Sequence, residues 1–289
     1  MRYLLLIVFT FFYVASNAMC SFASISVWPA RATISTNSIF VIEGYGASQA
    51  LIRQLNKKNR IYLISGPEIV EIAVVRILEG QFQLTQALLK PQRELTPGKS
   101  YQLKIDSLKG FDKSAYKVST WTVKAQADKQ IPAWLCEPVF TGKSYTEYGC
   151  GPALFAHFCG TAANDSSTLI YAKVFNKTNN TTRDYYLKPY KKSINIGHGM
   201  CSGAFTFEEN SQYEVQFGLM DASGHESTQL TNSIAFTSPT QHAPSDKAET
   251  CNCNPLVSKH INRSNYLLYA LFGVSLAGVG ILLYNIKKA

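Results

Sequence analysis

Leu95-Thr96-Pro97-Gly98-Lys99-Ser100-Tyr101-Gln102-Leu103-Lys104-Ile105 sets the fold class. Pro97-Gly98 is a turn pair, because proline presets φ and glycine tolerates positive φ. From Tyr101 onward, Tyr101, Leu103 and Ile105 alternate with Gln102 and Lys104. A period of two puts the apolar set on one face of a strand. Similar short runs recur along the chain, and no long stretch carries apolar residues at helical period. The expected class is all-β.

Working outward, strands are expected near Ser24–Val27, Ile39–Glu43, Arg60–Ser65, Val70–Leu78, Gln83–Leu89, Tyr101–Ile105 and Lys117–Val123. Gly44-Tyr45-Gly46, Gly66-Pro67, Glu79-Gly80 and Pro97-Gly98 punctuate them. After a polar link at Ala127–Gln130, a second set falls near Ala133–Phe140, Ala153–Cys159, Leu169–Asn176, Arg183–Leu187, Gly203–Phe207, Glu214–Leu219 and Ile234–Thr237. Strands with turn signals roughly every 8–12 residues predict β-sandwiches, one over 24–126 and a second over 131–237.

Leu95 to Ile105 also resembles the tyrosine-corner segment of fibronectin type III and related Ig-like domains. There a Leu-x-Pro turn leads to a tyrosine whose hydroxyl bonds back to the backbone. Trp28-Pro29-Ala30 and Ile34-Ser35-Thr36-Asn37 look like the opening strand of bacterial Ig-like repeats. Ser211 to Phe217 followed by Asp221-Ala222-Ser223-Gly224 is similar to the late hairpin of such domains. The resemblance implies two tandem Ig-like or fibronectin type III-like β-sandwiches and a surface protein that binds or adheres.

The ends indicate the compartment. Met1-Arg2 followed by an apolar run to Val14 reads as a signal peptide, assigned to 1–23, with small residues at Ser16-Asn17-Ala18 and Ser21-Phe22-Ala23. Tyr266–Tyr284 is uncharged and long enough to cross a bilayer as one helix, flanked by tyrosines and by Lys287 and Lys288. Residues 238–265 are a Pro/Ser/Thr-rich stalk, and 285–289 form a cytoplasmic tail. The expected location is a single-pass membrane protein whose body is extracytoplasmic, at the cell surface or in the periplasm. Cys251-Asn252-Cys253, a hydrophobic helix and terminal lysines together resemble the MYXO-CTERM class of bacterial sorting tails. That resemblance implies anchoring or sorting at Cys251 and Cys253, with removal of the helix.

Export to an oxidising compartment predicts disulfides. The candidates are Cys136, Cys150, Cys159 and Cys201, which allow three connectivities. The pairing expected here is Cys136–Cys150 with Cys159–Cys201, Cys20 leaving with the signal. The rival use, a Cys/His zinc set of His157, Cys159, His198 and Cys201, has no CxxC or HxxxH spacing behind it, so no metal is expected.

The net charge is +9, and residues 24–125 hold 14 Lys/Arg against 7 Asp/Glu, or +7. Arg53, Lys57, Lys58 and Arg60 form the densest cluster, a possible ligand-binding loop for an anionic glycan, a wall polymer or another envelope protein. Without interleaved aromatics it does not indicate nucleic acid. Gly-x-Ser-x-Gly, His-Glu-x-x-His and P-loop patterns are missing from the sequence. Gly197-His198-Gly199-Met200-Cys201-Ser202-Gly203 groups a base with a thiol, but reads better as a turn. No catalytic residue and no cofactor is expected. The function expected is binding or adhesion without chemistry, with a scaffold role in an envelope complex as the alternative and a thiol- or His-dependent hydrolase as the minor one.

Overall fold

The computed structural model describes residues 20, 23–106, 119–163, 168–190 and 192–241. The chain is all-β over these residues. The expected membrane helix at 266–284, the Cys251/Cys253 tail, the tail 285–289, nearly all of the signal segment and the stalk beyond 241 lie outside them. Among the described residues no helix is long and apolar enough to cross a membrane.

The first block comprises β1 (Ser24–Trp28), β2 (Thr33–Ile34), β3 (Phe40–Tyr45), α1 (Ser48–Arg53), β4 (Ile61–Ser65), β5 (Glu68–Glu79), β6 (Leu84–Pro91), β7 (Ser100–Ile105) and β8 (Thr120–Val123). Its strands run in the order β1-β3-β6-β5-β4-β7-β8-β2. The long strand β5 joins the two halves of this ladder. Glu68–Glu71 pair with β4, and Ile72 onward pairs with β6 across a register shift between Val74 and Arg76. Such a bulge bends a strand and sharpens its twist, which lets the ladder fold over its own core. That core holds Phe40, Ile42, Ile61, Leu63, Tyr101 and Trp121. The Phe40 and Trp121 rings lie 4.7 Å apart, and the indole N–H donates to the Pro29 carbonyl at 2.9 Å.

The helix α1 is not expected from the sequence. Six residues are too few to show a helical period, and the turn is held by burying Leu51 and Ile52. Gly44 makes room for it, since a Cβ there would lie 2.7 Å from Ile52 Cγ1 and 2.8 Å from the Ser48 carbonyl.

The second block comprises β9 (Trp134–Thr146), β10 (Ala153–Ala162), β11 (Leu169–Asn176), β12 (Thr181–Leu187), β13 (Ser193–His198), β14 (Gln212–Met220) and β15 (Ile234–Thr237). It forms a three-stranded sheet, β13-β10-β9, and a four-stranded sheet, β12-β11-β14-β15. Phe158 and Ile196 from one sheet share a core with Val215, Phe217 and Phe236 from the other. The expected strand at Gly203–Phe207 is a correction. Its backbone bonds to the first block, and the strand that completes the smaller sheet is β13, whose Ile194 and Ile196 point inward.

Tyr101 is fully buried, and its hydroxyl accepts the Thr96 N–H at 3.2 Å. The expected back-bond to the turn is therefore formed. Tyr213 in β14 repeats it, accepting the Glu208 N–H at 2.8 Å, again five residues upstream. Each tyrosine follows a positive-φ turn residue by three positions, Gly98 at 76° and Asn210 at 54°. The two blocks thus carry the same corner in the same place relative to a late strand.

The first corner is braced by charge. The Tyr101 hydroxyl donates to Glu68 Oε1 at 2.9 Å. The Lys99 ammonium above all, then the Arg93 guanidinium and that hydroxyl, hold the Glu68 carboxyl down to about 2. A depressed carboxyl stabilises the fold at pH above its unfolded value, and that contribution is lost as pH falls through the folded value. The window here runs from 4.5 down to about 2. Lys99 and Arg93 are about half exposed, so solvent screening keeps the effect small. We predict that Glu68→Gln lowers the melting temperature near neutral pH, and that the gap from wild type closes as pH drops through this window. A gap independent of pH in thermal melts would remove the charge from the account.

Candidate functional site

A constellation of convergent polar groups lies where the two blocks meet. β12 is the outer strand of its sheet, and its backbone is completed by a side chain of the first block. The buried Gln86 amide of β6 donates to the Tyr186 carbonyl at 2.8 Å and accepts the Tyr186 N–H at 3.3 Å. The same amide donates to Glu43 at 2.8 Å, and the Tyr185 hydroxyl donates to that carboxylate at 3.1 Å. Burial, then the Glu43 charge, pushes the Tyr185 hydroxyl far up, so it remains a donor. Arg76 forms an ion pair with Asp184 beside it. Trp28, Ile39, Val41 and Leu78 of the first block enter the core of the second. Within the described residues, the stretches 24–126 and 131–237 therefore share a core.

The Gly197–Gly203 stretch belongs to this seam. Gly203 exchanges backbone bonds with Phe82 at 2.9 and 3.1 Å, and the Gln81 N–H reaches the Ala204 carbonyl at 3.0 Å. The glycines serve close backbone approach: a Cβ on Gly197, at φ 142°, would lie 1.9 Å from the Leu154 carbonyl oxygen. His198 Nδ1 faces the Gly199 carbonyl at 2.9 Å, and Cys201 is bonded to Cys20. The thiol–base pair that this stretch offers in sequence is not formed.

The cysteines correct the expected pairing. Cys201 takes Cys20, Cys150 is free and exposed, and Cys136 and Cys159 are each disulfide-bonded. Cys136–Cys150 and Cys159–Cys201 are therefore both absent. The physical reason is placement: Cys201 lies on the seam loop, within reach of the chain entering β1, while Cys150 sits on an exposed turn after β9. With Cys159 and Cys201 both in disulfides, the Cys/His metal set is also lost.

His157 has other partners. Its Nε2 lies 2.8 Å from Ser144 Oγ and its Nδ1 lies 2.9 Å from Asn195 Oδ1. This line has the connectivity of a nucleophile, a base and an orienting group. It runs across β9, β10 and β13 on a sheet surface, and none of the clefts at Arg76, Asn176 or Asp221 is lined by it. We read it as a cross-strand polar ladder.

The basic cluster is divided. Arg53 on α1 is clamped by Glu79 at 2.6 and 2.8 Å and bonds Thr85 and Gln49. Arg60 pairs with Glu71 and lies over the Tyr62 ring. Lys57 and Lys58 stand exposed on the turn, with no ion pair among the described residues. Two of the four charges are thus neutralised locally.

The feature that sequence reading misses is apolar. Nine large hydrophobic side chains are exposed among the described residues, and five of them, Ile131, Leu135, Val139, Phe140 and Tyr148, lie on or beside β9. β9 is the outer strand of its sheet, bonded on one side by β10. Leu135 and Val139 are 46% and 57% exposed, on the face that alternates with buried Cys136 and Pro138. The signal was present in Leu135-Cys136-Glu137-Pro138-Val139, but a period of two does not say which set faces inward.

No protein-family model matches the chain, and no characterised protein sequence matches it. Among solved structures, a type I pullulanase from Bacillus subtilis str. 168 complexed with maltose is 13% identical at a TM-score of 0.22, covering 71% of this chain and 24% of that one. A cytokine receptor complex is 8% identical at a TM-score of 0.24, covering 76% and 98%. A pullulanase from Anoxybacillus sp. LM18-11 is 9% identical at a TM-score of 0.22, covering 65% and 23%. The chain spans about a quarter of the pullulanases' length.

We predict that alkylation of the denatured, unreduced protein labels Cys150, and that peptide mapping recovers Cys20 linked to Cys201. Labelling of Cys201 or Cys20 without prior reduction would overturn this assignment.

Proposed function

We propose that this chain is an exported, membrane-anchored envelope or surface protein, non-enzymatic, whose two Ig-like blocks bind a partner protein. The strand orders support the Ig-like reading. The second block's three- and four-stranded sheets, with a tyrosine corner entering β14, follow the fibronectin type III arrangement, and the first block's tyrosine corner suits an Ig-like relative. The Cys20–Cys201 disulfide supports an oxidising compartment. The uncharged run Tyr266–Tyr284 supports the anchor.

The disulfide refines the processing site. Cys20 stays with the mature chain when cleavage follows Ser16-Asn17-Ala18, and is lost when it follows Ser21-Phe22-Ala23. We predict a mature N-terminus at Met19 by intact mass. A product beginning at Ser24 would leave Cys201 titratable.

The observation that carries the binding role is the outer edge of β9. As the outer strand of its sheet, β9 carries exposed Leu135 and Val139 on a side open to strand addition, with Pro138 between them lacking an N–H. Leu135 and Val139 flank Glu137 on that face, and exposed large apolar side chains gathered on one element mark interaction sites. A second envelope protein offering an extended apolar segment is the occupant that fits. Arg53, Lys57, Lys58 and Arg60 contribute less, since two of the four are already paired. Site-specific photocrosslinking in the native cells tests this. A photoreactive residue at 135 or 139 is expected to give a discrete protein adduct, while one at the exposed Lys58 gives none. Adducts confined to position 58, or none from 135 and 139, would reject the edge as the binding surface.

A further inference from the structure

A second constellation lies where the link between the blocks passes the turn after β14. A cleft of about 530 Å³ there is lined by Arg31, Lys124, Asp128, Thr168 and Asp221 among others. Asp128, Asp221 and His225 each bring a ligand atom to within 4.8 Å of the other two. Asp221 is buried, its Oδ1 accepting the N–H groups of Ser223 and His225 at 2.8 and 2.9 Å and its Oδ2 facing His225 Nδ1 at 2.9 Å. Asp128 is held by its backbone, which exchanges bonds with the Asn37 side chain at 2.9 and 3.1 Å.

Such a cluster alone is ordinary turn chemistry. The independent observation is Thr168. It is 1% exposed and lines the same cleft, and its Oγ1 is buried without a hydrogen-bond partner. A buried hydroxyl left so is destabilising, and the great majority of buried polar atoms are satisfied. Ser223 Oγ, two residues from Asp221, is partnerless in the same way. Among the described residues none bonds the Thr168 hydroxyl on this cleft.

We propose that Asp128, Asp221 and His225 bind a zinc ion, with a metal-bound water that hydrogen-bonds the Thr168 hydroxyl. Two carboxylates and an imidazole with one open position form a zinc donor set. Three donors, one of them an imidazole nitrogen, fall short of the six to eight oxygens that Ca²⁺ takes and match the mixed nitrogen and oxygen set of zinc. Zinc bonds of about 2.0–2.2 Å reach donors that already lie within 4.8 Å of one another, the link residue Asp128 among them. The ion then ties the link to the second block. This inference is independent of the binding role of β9.

The test uses the full chain stripped with chelator, then titrated with Zn²⁺ and separately with Ca²⁺, in a Cys150→Ser background that removes the exposed thiol as a competing ligand. One Zn²⁺ per chain and a rise in melting temperature are expected, with Ca²⁺ producing neither. Asp128→Asn and His225→Gln are each expected to weaken Zn²⁺ binding on the order of 10–100-fold. Asp128 is only partly buried, so its variant reports even if Asp221→Asn fails to fold. Bound Co²⁺ is expected to show the intense visible absorption of tetrahedral coordination, lost in Asp128→Asn. No zinc uptake, equal stabilisation by Ca²⁺, or unchanged affinity in both variants would overturn the proposal.

Discussion

Buried backbone N–H and C=O groups must be paired, and in this chain part of that pairing crosses between blocks. The Gln86 amide stands in for a missing strand beside Tyr186, and the hairpin at Gln81 and Phe82 does the same for Gly203 and Ala204. Pulling the blocks apart would strand these groups and expose Trp28, Val41 and Leu78 together. The Cys20–Cys201 bond crosses the same seam. Hydrogen bonds, apolar burial and a covalent bridge therefore act on one surface. The link at Asp128 is clamped by Asn37 rather than left as a free tether.

Sequence reading reaches what is local. Strand runs such as Leu169–Asn176 and Ile234–Thr237 are legible because alternation and turn residues operate within a few positions. The first tyrosine corner is legible because Pro97 and Gly98 announce its turn. The second is not, because Asn210 takes the positive φ with no proline before it. Gly203–Phe207 alternates like a strand, yet its partner is the hairpin of another block, and alternation carries no information about partners. Ser193–His198 offers only two inward isoleucines between polar neighbours, so its period is too short to register. α1 exists because Gly44 leaves space beneath it, a fact about packing rather than about its own six residues.

The cysteines show the same limit in covalent form. Counting thiols predicts disulfides, but which sulfurs meet depends on the seam. Assigning Cys20 to a discarded leader removed the partner that Cys201 uses. The expected pairing of Cys136 with Cys150 fails, because the structure leaves Cys150 exposed on a turn. The glycines around His198 had two readings, reactive loop or close approach. The contact with Leu154 and the ladder to Phe82 decide for close approach.

Charge and apolar surface exchange importance between sequence and structure. A basic cluster is conspicuous in a sequence, because charge is counted residue by residue. Folding brings Glu79 and Glu71 of β5 to Arg53 and Arg60, and the surplus shrinks to two lysines on a turn. Leu135 and Val139 are inconspicuous in sequence, since apolar residues in strands are expected to be inside. Their partners on the alternate face, Cys136 and Pro138, are the buried ones, which leaves an outer strand with apolar side chains on its open surface. Exposed long charged side chains lose little when ions screen them, whereas exposed apolar area keeps its driving force at any ionic strength. Of the nine large apolar side chains exposed among the described residues, the five on or beside β9 therefore keep a driving force for burial that the paired charges of Arg53 and Arg60 have lost.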